Sequence, residues 1–96
     1  MAPTRPTPTN ITSQATTVIK AGAGWLRRVV INQPVASGVI TIYDNTAGSG
    51  TLVGTITLPG TLLSDGPHSV PYDVYCATGI TVVTSGATQN ITVVFE

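Results

Sequence analysis

Charge is what this sequence has least of. Lys and Arg together number 4, Asp and Glu 4, and the charged fraction is 8 % with a formal net charge of +0, where ordinary soluble domains carry about a quarter charged residues. Arg5, Lys20, Arg27 and Arg28 are scattered among Asp44, Asp65, Asp73 and Glu96. No basic patch exists that would track a phosphate backbone, so no nucleic-acid partner is expected. Cysteine is limited to Cys76 and histidine to His68. The first excludes a disulfide framework within the chain, and the two together fall short of the three or four converging ligands of a zinc site. No apolar run approaches the roughly 18 residues of a membrane helix, and the stretch from Met1 to Pro6 lacks the apolar centre of a signal peptide. The expectation is a chain made in the cytoplasm, without a membrane partner.

What is present is β-strand chemistry. The centre of the chain is Gly38-Val-Ile-Thr-Ile-Tyr-Asp-Asn-Thr-Ala-Gly-Ser-Gly50 continuing to Leu58, which reads as a hairpin. Ile40 and Ile42 share one face, with Val39, Thr41 and Tyr43 on the other. Past the loop, Leu52, Ile56 and Leu58 share one parity and Val53, Thr55 and Thr57 the other, a period of two that belongs to a pleated strand. The residues from Asp44 to Gly50 bond their own backbone or accept positive φ, so the chain reverses there at little cost. Before the hairpin, the second half of Ile11 to Lys20 and the run Trp25 to Gln33 read as strands, separated by Ala21-Gly-Ala-Gly24. Strict alternation puts Trp25, Arg27, Val29 and Ile31 on one face of the latter and Leu26, Arg28, Val30 and Asn32 on the other. After it come a turn at Pro59-Gly60, a short strand or crossover at Thr61 to Ser64, and a turn at Asp65 to His68. His68 to Cys76 is extended, and Pro71, which cannot donate a ladder bond, makes it an edge or bulged strand. Gly79 to Thr84 and Asn90 to Glu96 close the set, the latter with Ile91, Val93 and Phe95 facing a core. Seven or eight short strands at about ten-residue spacing, without a helical pattern, predict an all-β antiparallel sandwich, jelly-roll-like, over residues 11–96.

Residues 1–10 form a different compositional block, with Pro3, Pro6 and Pro8 interleaved with Thr4, Thr7 and Thr9. The expectation is an extended N-terminal arm outside the sheets. At about 3.1 Å per residue it would reach roughly 30 Å, far enough to lie on a neighbouring subunit through Pro3, Arg5, Pro6 and Pro8. A charge-poor, Thr-rich surface resists association weakly, so a homo-oligomer or docking onto a larger lattice is expected.

Candidate chemistry is thin. Cys76, His68 and Asp73 are the sole nucleophile, base and acid set, and a thiol enzyme needs them in contact. Eight residues of extended chain separate Cys76 from His68 by about 25 Å, so Cys76 reads as a small buried hydrophobe. The hairpin loop offers oxygens of Asp44, Asn45 and Ser49 to a calcium ion, yet holds a single carboxylate. No cofactor, no metal and no catalytic residue is therefore assigned. The triplets Asn10-Ile-Thr12 and Asn90-Ile-Thr92 are coincidences of a Thr-rich chain. Trp25 with Tyr43, Tyr72 and Tyr75 either builds a stacking platform at one end of the sandwich or packs a core or subunit contact. Arg27 and Arg28 either pair with acids of a neighbour or end a strand in solvent. Trp25, Arg27, Arg28 and Tyr43 join the arm prolines as candidate partner-binding residues.

Four stretches also carry a resemblance. Thr17-Val-Ile-Lys-Ala-Gly-Ala-Gly24, Gly38 to Thr51 with its Tyr-Asp-Asn-Thr-Ala-Gly-Ser-Gly element, Tyr72-Asp-Val74, and Thr78-Gly-Ile-Thr-Val-Val-Thr-Ser-Gly86 resemble small β-sandwich virion proteins of tailed bacteriophages and prophages, over about residues 15–96. The resemblance implies a non-enzymatic structural role, as a capsid decoration (cement) protein or as a tail- or fibre-associated module. The leading expectation is a trimer on the capsid surface of the virion that binds the major capsid protein lattice and clamps it. The alternative is a receptor- or glycan-binding module using Trp25 or the loops at 44–50 and 85–89.

Overall fold

The computed structural model describes residues 7–58 and 68–96. Eight strands run through the described residues: β1 (Thr7–Ile11), β2 (Thr16–Ala21), β3 (Gly24–Gln33), β4 (Val39–Asp44), β5 (Thr51–Thr57), β6 (His68–Cys76), β7 (Gly79–Ser85) and β8 (Asn90–Phe95). They form two antiparallel four-stranded sheets, ordered β1-β8-β3-β6 and β2-β7-β4-β5. The pairs β1·β8, β2·β7, β3·β6 and β4·β5 are nested like the rungs of one long hairpin, and their alternation between the two sheets is the wiring of a jelly roll. The all-β sandwich read from strand spacing is the observed fold.

The core is the expected alternation made solid. Ile40 and Ile42 of β4, Ile80 and Val82 of β7, Ile91 and Val93 of β8 and Leu26, Val29 and Ile31 of β3 are buried, with Cys76 among them. Each such aliphatic contributes about 1.5–3 kcal/mol by leaving water. Phe95 packs against this cluster as its parity requires.

Bulges in β3 and β5 change the faces that strict alternation assigns, and β2 carries a register shift of its own. In β3, Leu26 pairs with Phe95 of β8 and Arg28 with Val94, so Arg27 is an extra residue; on its other flank Leu26 pairs with Val74 and Arg28 with Pro71, leaving Tyr72 and Asp73 opposite Arg27. Asp73 accommodates the extra length with a φ of 52°. The parity flips there, so Leu26 joins Val29 and Ile31 in the core and Trp25 turns outward, which corrects the grouping of Trp25 with Val29 and Ile31. In β5, Ile42 pairs with Gly54 but Tyr43 with Leu52. Val53 therefore packs on the core while Leu52 is 54 % exposed, the reverse of its expected parity. In β2 the register slips between Val18 and Lys20, and Ile19 packs against the core.

The N-terminal boundary also moves. Thr7–Ile11 pairs with β8 from Thr7↔Phe95 to Ile11↔Ile91, so residues 7–10 belong to a sheet and not to a free arm. Pro8 is accommodated because β1 is an edge strand. Pro71 has the same explanation in β6, which is both an edge and bulged, as expected. The arm residues Pro3, Arg5 and Pro6, the turn at Pro59-Gly60, the stretch 61–64 and the turn at 65–67 lie outside the described residues.

Candidate interaction surface

The bulge in β3 and β6 builds the most distinctive surface feature. Trp25 and Tyr75 are cross-strand partners whose rings sit with centroids 5.6 Å apart, tilted by 57°. They are 41 % and 53 % exposed. The Arg27 guanidinium lies 5.1 Å from the Trp25 ring centroid, a cation–π contact. The same guanidinium donates to the Glu96 carboxylate and, at 3.3 Å, to Asp73. The hydrogen bond to Glu96 foremost, and that to Asp73, push the Arg27 pKa up against partial desolvation. Backbone bonds between Trp25 and Glu96 in both directions, at 3.0 and 2.8 Å, anchor the corner, and Lys20 Nζ donates to the Glu96 carbonyl at 3.1 Å.

The candidate partner-binding residues separate accordingly. Pro8, Trp25 and Arg28 stand on the outer face of the β1-β8-β3-β6 sheet. Arg27 is on the same sheet, but its charge is met by two acids of its own chain. Tyr43 is on the other sheet, paired with Leu52 and Thr81, so no platform unites it with Trp25. Tyr72 is elsewhere again: a Cβ on Gly54 would stand 2.8 Å from its hydroxyl, so the glycine makes room for the Tyr72 ring between the edge strands β5 and β6. Of the three tyrosines that the sequence groups with Trp25, the structure brings only Tyr75 against it, while Asp73 and Glu96 as own-chain partners of Arg27 carry no signal in the sequence. Pairing opposite Trp25 identifies Tyr75 only once the β3·β6 register is known.

The opposite end of the same face is polar. Asn10 Nδ2 donates to Asn90 Oδ1 at 2.9 Å and to the Ile91 carbonyl at 2.8 Å, while Asn32 Nδ2 donates to Asn90 Oδ1 at 3.1 Å and to Thr92 Oγ1 at 2.9 Å. The two Asn-Ile-Thr triplets thus face each other across β1·β8, and with Asn32 of β3 their side chains tie three strands together.

The reactive trio is not assembled. Cys76 pairs with Gly24 at one end of β6 and His68 with Ile31 at the other. Cys76 is fully buried, and burial first, then the nearby Asp44 charge, pushes its thiol pKa up, away from the thiolate a nucleophile needs. The hairpin loop is likewise committed to its own structure. Asp44 accepts from the N–H groups of Thr78 at 2.9 Å and of Ala77 and Gly79 at 3.2 Å each, and these bonds hold its carboxyl below the usual aspartate value despite some desolvation. Asn45 caps the loop by donating to the Ser49 carbonyl at 2.8 Å.

No family model, curated protein or solved structure matches this chain.

Proposed function

We propose that this chain is a capsid decoration protein of a tailed bacteriophage, a non-enzymatic module that sits on the head surface of the virion, binds the major capsid protein lattice and stabilises it, acting as a homotrimer over subunit junctions. The observation that carries this reading is a jelly roll whose chemistry is spent on its own structure while exposed aromatics stand on an otherwise charge-poor surface. Its one thiol is core, its one described histidine is at the far end of that strand, and Arg27, Asp44 and Glu96 are consumed by internal bonds. Jelly rolls recur in viral shells, where many modest contacts at a junction act together. The resemblance of the strand and loop segments to virion sandwich proteins points the same way.

The test is uptake of the purified chain by heads assembled without it, read by co-sedimentation and by the temperature at which the heads open. Saturable binding with a raised opening temperature is expected. A chain that sediments alone beside intact heads overturns the reading. Deleting residues 1–6 is expected to lower occupancy while leaving thermal unfolding of the sandwich unchanged; undiminished occupancy removes the arm from the mechanism.

The exposed Trp25–Tyr75 pair favours a second reading, a tail- or fibre-associated module that binds receptor glycans by stacking. Glycan-array binding lost on Trp25→Ala, with the protein recovered in tails and not in heads, would establish it in place of the first.

A further inference from the structure

Arg28 is the cation of the outer face of the β1-β8-β3-β6 sheet whose charge no described acid meets. The row Pro8, Val94, Arg28, Pro71 runs in register across all four strands of the first sheet, and partners in antiparallel ladders share a face. Arg28 is exposed, and among the described residues it has no acid partner: Asp73 and Glu96 are held by Arg27, and Asp44 by three backbone N–H groups. Its register neighbours are apolar. Trp25 and Tyr75 stand on the same face nearer the corner. A cation in such a setting is stable only while water reaches it, and covering it without a counter-charge carries the full desolvation cost.

Resting on the decoration reading, we infer that the outer face of the β1-β8-β3-β6 sheet is the docking face, and that its occupant is a protein surface of the shell that presents a carboxylate to Arg28 beside an apolar patch for Trp25 and Tyr75. Arg, Trp and Tyr are the side chains that dominate interface energetics when desolvated together. The apolar positions spread over four strands, a breadth that fits a protein surface better than a single sugar ring. A second copy is the weaker occupant, because the three described carboxylates are already engaged.

The experiment compares uptake by heads lacking the protein for the wild-type chain, Arg28→Glu, Arg28→Lys and Leu52→Ser, the last on the outer face of the other sheet. Arg28→Glu is expected to weaken binding about 30-fold or more, as loss of one member of a covered charge pair does; Arg28→Lys retains part, Leu52→Ser all. All four are expected to unfold at the same temperature, since both positions are exposed. Wild-type uptake with Arg28→Glu equally bound overturns the docking face while leaving the decoration reading intact. Absence of wild-type uptake overturns both. A wild-type oligomer in sedimentation that Arg28→Glu dissociates, with head binding unchanged, assigns the face to self-association and overturns the shell partner.

Discussion

Asp44 shows how one side chain closes a jelly-roll corner. It ends β4, yet its carboxylate serves the 77–79 turn leading into β7, gathering three N–H donors that would otherwise face the loop unpaired. Because the folded carboxyl is held below its ordinary value, the stabilisation is fully present above about pH 4 and is lost as pH falls through the folded pKa. Urea unfolding as a function of pH is expected to show a drop in this acid window that Asp44→Asn flattens, with the variant less stable at pH 7; an unchanged acid limb would remove Asp44 from the linkage. Gly86 is the other residue on which a corner depends. Its φ is +80°, and a Cβ there would run into the Ser37 carbonyl oxygen. Gly86→Ala is expected to cost at least the roughly 1–2 kcal/mol of a left-handed non-glycine residue, read by the shift in the urea midpoint. Cys76, with its thiol buried and its pKa pushed up, is expected to react with an aromatic disulfide no faster than the protein unfolds; rapid labelling of the native protein would contradict its place in the core.

At the scale of elements, the difference between what the sequence shows and what it hides is a difference between period and register. The strands were legible because β-branched residues alternate with Thr and Ser, and the burial of Ile40, Ile42, Ile91 and Val93 follows directly. The surplus residues in β3 and β5 are not, since one extra residue there leaves no local signature: Arg27-Arg28 and Leu52-Val53 look like ordinary strand interiors until a partner strand fixes which residue is the surplus one, and only Pro71 in β6 marks an irregular strand. That is why strict alternation places Trp25 on the face of Val29 and Ile31, and why the sequence alone does not single out Tyr75 from Tyr43 and Tyr72 as its partner. Pro8 misled in the other direction, since a proline-threonine block reads as a free arm unless an edge position beside β8 is available. The corrected register makes a quantitative contrast. Leu26→Ala is expected to cost about 2–5 kcal/mol as a core truncation, and Leu52→Ala to stay within about 0.5 kcal/mol as a surface change. Chemical denaturation of the two variants checks it, and equal losses would restore unbroken alternation.

For the molecule as a whole, the nested wiring means that the order of sequence separation is also an order of difficulty. The β4·β5 hairpin closes across a six-residue connection, whereas β1·β8 joins residues such as Asn10 and Asn90 that are 80 apart. Loop-closure entropy must be met before a distant pair contributes, so domains dominated by such pairs fold in milliseconds to seconds. Beyond the β4·β5 hairpin, the sequence alone does not say which of the strands pair, because wiring is a property of loop lengths and sheet closure together. Given the wiring, zippering outward from the hairpin is the physically cheapest route, with β1 laid down against β8 last. Ile40→Val and Ile11→Val each remove one buried methylene, a change of about 0.5–1.5 kcal/mol. Stopped-flow refolding is expected to give Ile40→Val a φ-value of roughly 0.5–0.8, slowing folding, and Ile11→Val one of roughly 0–0.3, chiefly speeding unfolding. The reverse ranking would mean that the chain ends meet before the centre closes, and would make β1 part of the folding nucleus instead of its final edge.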